Sequence, residues 1–310
     1  MNANSKPKAP RPNISVTRLH KLNASDLSIR EWLAQAASTL ASHDISSAQL
    51  DAEVLLAHVL DINRTWLIAH GDEIIDTASL SRVKKLLIRR EQHEPTAYLV
   101  GHKEFYGREF TVTPDVLIPR PESEKIIEIA KKIKLPDHAY VVDVGCGSGC
   151  IGLTLKLEMP AIEDIILCDV SKQALMLAKR NNRERFHLRK IQYYHSDLLS
   201  FWLQAEMNHT LPIIDLITAN LPYVDTSWQR SPETDHEPAL AIIADDGGLA
   251  LIKKCIQQSQ RCLTQNGYLL LEADPCQHAD IAAYAHNFGF KVYDIQEYII
   301  VLQRNPAVIR

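Results

Sequence analysis

The sequence predicts an α/β fold: a mostly parallel seven-stranded sheet covered by helices on both faces, preceded by a small helical domain. Three observations predict it. From Ala139 onward, short apolar runs alternate with helix-length segments. The first of those runs empties into a glycine-rich turn that opens a helix. Before residue 95, apolar residues instead recur every three or four positions, and no glycine falls before Gly71.

At 310 residues, 46% apolar and 23% charged, the chain has room for two domains and the profile of an ordinary globular protein. No apolar run approaches the roughly eighteen residues of a membrane span, so no membrane partner is expected. The six cysteines (146, 150, 168, 255, 262 and 276) form no CxxC pair and no regular spacing. That pattern predicts free thiols of a reducing cytosol and no metal site. Net charge is −4 but uneven: Lys6, Lys8, Arg11, Arg18 and Lys21 make residues 1–25 +5, which leaves −9 for the rest. A body of that charge is a poor duplex-DNA binder, so no direct DNA contact is expected. The basic tail, residues 1–25, holds three prolines and is expected to be disordered. A contact with RNA or the ribosome is one reading of it, and a mitochondrial transit peptide, instead of a cytosolic protein, is another.

Residues 26–95 read as helices. "SIRE" at 28–31 is a capping box, and Trp32, Leu33, Ala36 and Leu40 follow at helical spacing. "AQLDAEVLLAHVL" (48–60) repeats the pattern, and "LSRVKKLLIRREQ" (80–92) predicts a third helix with a basic face. This domain is expected to serve in substrate recognition. Residues 96–120 are a linker in which "HKEFYGREFTVTP" (102–114) alternates around Gly107 as a β-hairpin. The segment 121–310 begins with Pro121 in a first helical turn beside acids. Strands then follow at "AYVVDVG", "DIILCDV", "IQYYHSD", "IDLITAN" and "YLLLEA". "FKVYDIQEYIIVLQR" (290–304) supplies two more, antiparallel because their connection is short.

"VVDVGCGSGCIG" (141–152) is a strand, a glycine turn and a helix. Dinucleotide spacing needs glycine at 150, where this chain has Cys150, and no GK[ST] follows. Asp143, just before the turn, suits a cationic ligand better than a pyrophosphate. Asp169 ends the second strand, where an acid accepts both hydroxyls of a ribose, and Asp197 ends the third, where it would face an adenine amino group. A ribose clamp without a phosphate grip predicts S-adenosylmethionine, released as S-adenosylhomocysteine.

The fourth strand ends in "NLPY" (220–223), so Asn220 and the methyl donor converge on one crevice at the strand ends. This motif resembles the [N/D]-P-P-[Y/F/W] of amino-methyltransferases, enzymes that act on adenine, cytosine or glutamine amides. The resemblance extends over about residues 28–304 through "DAEVLLAHVL", "RREQHEPTAYLVGHKEFYGREFTV", "LIPRPESE", "DVGCGSGCIG" and "HEPALAI…DGG". Together they resemble the HemK/PrmC family, the release-factor glutamine methyltransferases of class I fold. The resemblance implies a substrate, the glutamine of the GGQ loop in class I peptide-chain release factors, and a monomeric cytoplasmic enzyme. It implies cofactor contacts from Gly145, Cys146, Gly147, Ser148, Gly149, Asp169, Asp197, Leu198 and Asn220. It implies that Asn220, Leu221, Pro222 and Tyr223 hold the glutamine, with Asn220, Pro222 and Tyr223 catalytic. Arg120 and Glu124 are candidates to shape the pocket. Ribosomal-protein glutamine methyltransferases and DNA or RNA adenine methyltransferases are the alternatives. Two departures stand out: Leu198 where the family often has tryptophan, which weakens an aromatic contact to adenine, and Leu221 where the motif has proline. Leu221 lifts the backbone restriction on Asn220 and predicts a looser clamp.

Overall fold

The computed structural model describes residues 27–206 and 211–305. The basic tail and the expectations attached to it lie outside the described residues. The chain divides into two compact units, one up to Gln92 and one from His93.

The first unit is helical. Helix α1 (Ile29–Ser42) starts at the expected capping box, with the Ser28 hydroxyl accepting from the Glu31 N–H and Glu31 reaching back. It packs on α2 (Ala48–Leu60), and Trp32, Leu40, Leu55 and Leu56 of the two helices are all buried. A short helix absent from the sequence reading, α3 (Arg64–Ala69), is capped by Asn63. Helix α4 (Thr77–Glu91) begins earlier than expected because Asp76 caps it, accepting from the Ser79 N–H. Its basic face is incomplete: Arg90 turns inward and donates to Asp51 at 2.9 Å.

The second unit opens with α5 (Thr96–Val100) and the hairpin of β1 (His102–Phe105) and β2 (Arg108–Thr111). Its two turn residues, Tyr106 and Gly107, both have positive φ, as a tight hairpin turn requires. A 3₁₀ turn at Pro121–Ser123 leads into α6 (Glu124–Ala130). Then come β3 (Ala139–Val144), α7 (Cys150–Glu158), β4 (Ile162–Asp169), α8 (Lys172–Asn181), β5 (Ile191–His195), α9 (Ser200–Glu206) and β6 (Ile214–Ala219). The chain closes with α10 (Ala250–Cys262), β7 (Leu263–Glu272), α11 (His278–Asn287), β8 (Phe290–Gln296) and β9 (Ile299–Arg304).

The seven strands lie in the order β5-β4-β3-β6-β7-β9-β8. The first five are parallel, and β9 pairs antiparallel with both β7 and β8. Alternate strand residues feed two cores: Val142, Val144, Ile217 and Leu269 on one face, Val141, Ile165, Leu216 and Leu270 on the other. Burial on both faces explains why the strands read as continuous apolar runs. The chain runs outward from β3 to β5, then returns to β6 on the other side of β3. That reversal opens a crevice beyond the strand ends. All six cysteines are free and five are buried. Among the described residues, no helix is long and apolar enough to cross a membrane.

Candidate active site

The loop after β3 and the loop after β6 leave the sheet side by side, on the two sides of the chain reversal. Gly145 turns at φ +69°, and the nearest atom to a Cβ built there is Leu221 Cδ2 at 3.1 Å. The glycine therefore admits the motif leucine against the turn. The turn is fixed from outside by Asn181, fully buried at the end of α8. Its Nδ2 donates to the carbonyls of Thr111 and Ser148, and its Oδ1 accepts from the Thr111 N–H.

Asp169 sits at the carboxyl end of β4, where its Oδ2 accepts from the Gly147 N–H at 2.9 Å and its Oδ1 from the Ser171 N–H at 2.8 Å. Each oxygen keeps further acceptor capacity toward the cavity. Burial raises its carboxyl, and the backbone N–H groups oppose the rise. Asp143 corrects the sequence reading. It is 1% exposed and does not line the cavity. Its Oδ2 accepts from the Gly152 N–H and its Oδ1 from the Thr218 hydroxyl, so it ties α7 to β3 and β6. Burial, opposed by the hydrogen bonds from Thr218 and Gly152, pushes Asp143 up to about 7.

A cavity of about 400 Å³ fills the crevice. Gly145, Cys146, Gly147, Ser148, Asp169, Asp197, Leu198, Asn220, Leu221 and Pro222 all line it. Gly149, expected among them, does not: a Cβ there would meet Ala178 and Leu153 in the core at 3.1 and 3.2 Å. Asp197 lines the cavity with its carboxylate half-exposed and paired to Lys254. Leu198 is buried beside it at φ +51°, an uncommon conformation for a leucine.

Tyr223 lines a second cavity, of about 240 Å³, instead of the first. Asn220, Leu221 and Arg120 border both cavities, so the motif is the partition between them. Leu221 is 3% exposed and belongs to the core under the partition. From the back, the Tyr223 carbonyl accepts from Gln277 Nε2 at 2.8 Å. A Cβ on Gly248, at φ +84°, would lie 1.9 Å from that same carbonyl, so only glycine fits. Arg120 does border the pocket, and it forms an ion pair with Glu237 at 2.6 Å. Glu124 lines neither cavity; it accepts from the Tyr106 N–H.

Two residues that the sequence reading missed complete the partition. Asn220 Nδ2 donates to Ser123 Oγ at 2.9 Å, and Ser123 Oγ donates to Glu272 Oε2 at 2.6 Å. The Tyr223 hydroxyl donates to Glu272 Oε1 at 3.4 Å. Glu272 is 1% exposed, and burial pushes it up to about 7. Its signal was present: an acid closes the otherwise apolar strand "YLLLE" at the end where ligands bind.

A family model described as PrmC N-terminal domain matches residues 31–101, and one described as methyltransferase small domain matches residues 128–225. A release factor glutamine methyltransferase from Nitratidesulfovibrio vulgaris is 33% identical over 269 residues, 86% of this chain and 88% of its own. The chain belongs to the release factor glutamine methyltransferase family. Relatives of the same description from Shewanella oneidensis and Escherichia coli are 36% and 35% identical over 73% and 78% of this chain, and 77% and 84% of theirs. Like the rest of the family, it is an S-adenosylmethionine-dependent methyltransferase. The larger cavity fits that cofactor. Its two cations, Arg120 and Lys254, are each paired with a carboxylate, so it offers no grip for a pyrophosphate. A Cβ on Gly147 would meet nothing within 4 Å, which leaves room for a ligand over the turn beside Asp169.

Proposed function

We propose that the protein methylates the side-chain amide nitrogen of the GGQ glutamine in class I peptide-chain release factors. The observation that carries this is the position of Asn220 between the two cavities. Its Nδ2 is engaged by Ser123, while its Oδ1 accepts no hydrogen bond among the described residues. The smaller cavity is the entry for the glutamine, and the larger holds the cofactor through Asp169 and the Gly145–Ser148 turn.

When bound, S-adenosylmethionine supplies an electrophilic methyl group on a sulfonium and leaves as S-adenosylhomocysteine. An amide nitrogen is a poor nucleophile because its lone pair is delocalised into the carbonyl. Asn220 Oδ1 accepts one substrate N–H, and a backbone carbonyl of Leu221 or Pro222 accepts the other. Together they localise the lone pair and aim it at the first cavity. Tyr223 packs beside the flat amide. The nitrogen's extra proton leaves after transfer, so no strong base is needed. Catalysis is therefore orientation and electrostatics. The helical unit helps to dock the release factor, and the protein acts as a monomer in the cytosol.

The test is transfer of labelled methyl from S-adenosylmethionine to a purified class I release factor. Label is expected on the intact factor and not on one with the GGQ glutamine changed to alanine. Label in ribosomal protein or DNA instead would overturn the assignment.

A further inference from the structure

Glu272 raises a question that the proposed reaction leaves open. It is a carboxylate buried to 1% exposure at the end of β7, and no cation pairs with it among the described residues. A buried charge without a counter-charge is costly, and a glutamine of the same shape would pack more cheaply. What the ionised carboxylate, the form held above about pH 7, offers that a neutral side chain does not is direction: it only accepts.

That direction passes along the chain of contacts. Ser123, 2% exposed, has one hydroxyl proton, and Glu272 Oε2 takes it at 2.6 Å. The Ser123 oxygen is then left as an acceptor, and Asn220 Nδ2 donates to it at 2.9 Å. The Tyr223 hydroxyl donates to the other carboxylate oxygen at 3.4 Å. A side-chain amide turned by 180° would present its NH₂ to the substrate, donor against donor, and leave the glutamine N–H unheld. We propose that Glu272 is a positioning residue: acting through Ser123, it locks the Asn220 amide with Oδ1 toward the acceptor cavity. This inference rests on the amide-methylation reading for its meaning, but the orientation it asserts is measurable without any substrate.

Glu272→Gln is the test variant, since it keeps shape and the Tyr223 contact. Its Nε2 would donate to Ser123, freeing the Ser123 proton to point at Asn220 and reverse the amide. Turnover on a class I release factor is expected to fall on the order of 10²-fold. KM for the factor, cofactor affinity and Tm should stay at wild-type values. Ser123→Ala should lose less, because Glu272 also engages the Asn220 amide directly, and adding it to Glu272→Gln should cost little more, since both act on the same amide. In protein labelled at asparagine side chains, the NOE between the Asn220 amide protons and the Ser123 β-protons should be present in wild type and lost in Glu272→Gln. Wild-type turnover in Glu272→Gln, retention of that cross-peak, or a parallel fall of Tm and cofactor affinity would each overturn the proposal. If the wild type methylates no glutamine amide, the functional reading fails by itself, and the NMR result still decides the relay.

Discussion

At the cofactor end of the site the chain presents mostly backbone, whereas at the acceptor end it presents side chains held by other side chains. Two buried carboxylates, both pushed up to about 7, mark the contrast. Asp143 at the cofactor end bonds a backbone N–H and a threonine and faces away from the ligand. Glu272 at the acceptor end bonds a serine and a tyrosine, one of which holds the motif asparagine. A site made of backbone tolerates changes in the side chains that decorate it. One made of linked side chains fails when any link is changed.

The largest expected effect is on the acceptor end. Gly248→Ala drives a Cβ into the Tyr223 carbonyl, so the partition must shift. Turnover should fall by at least about 10²-fold. Cofactor affinity, measured by titration calorimetry, should fall far less; equal losses would erase the distinction between the ends. Leu221→Ala should blur it deliberately, because Leu221 packs in the core and against Gly145. We expect a stability loss of about 2–5 kcal/mol in denaturant titration, with turnover and cofactor affinity declining together. Asp169→Ala acts at the cofactor end alone: affinity for S-adenosylmethionine should weaken by roughly 10- to 100-fold, the cost of a lost charged hydrogen-bond acceptor. The smallest effect on turnover and cofactor affinity belongs to Asp143→Asn, since Asp143 lines neither cavity. The folded protein keeps Asp143 protonated up to about 7, whereas the unfolded chain ionises near the ordinary carboxylate value. The folded state therefore binds the extra proton between those limits, and stability falls as pH rises through them. Asp143→Asn should flatten that slope, which amounts to roughly 1.4 kcal/mol per pH unit, in denaturation measured from pH 4 to 8.

The same contrast explains what was legible in the sequence. Fold and cofactor end are written locally: the Ser28 capping box, the hairpin at Gly107, the apolar strands and the glycine turn each occupy a few consecutive residues. Helix α11 was illegible because its buried face is only His278, Ile281 and Ala285, too thin a stripe to read. Asp143 misled because position at a strand end does not say which way a side chain turns. At the acceptor end, "NLPY" supplied Asn220 and Tyr223, but Ser123 lies 97 residues from Asn220 and 149 from Glu272. No spacing rule connects such residues; only the sheet order brings them together.

The central claim is that Asn220 holds the acceptor amide and does not merely build the cofactor cavity that it borders. Asn220→Ala tests it most directly, with turnover on a class I release factor and the dissociation constant for S-adenosylmethionine measured on the same preparation. Turnover is expected to fall by on the order of 10²–10³-fold, the range for losing one oriented transition-state contact, while the dissociation constant moves by no more than about threefold. Equal losses in the two would contradict the role assigned to Asn220.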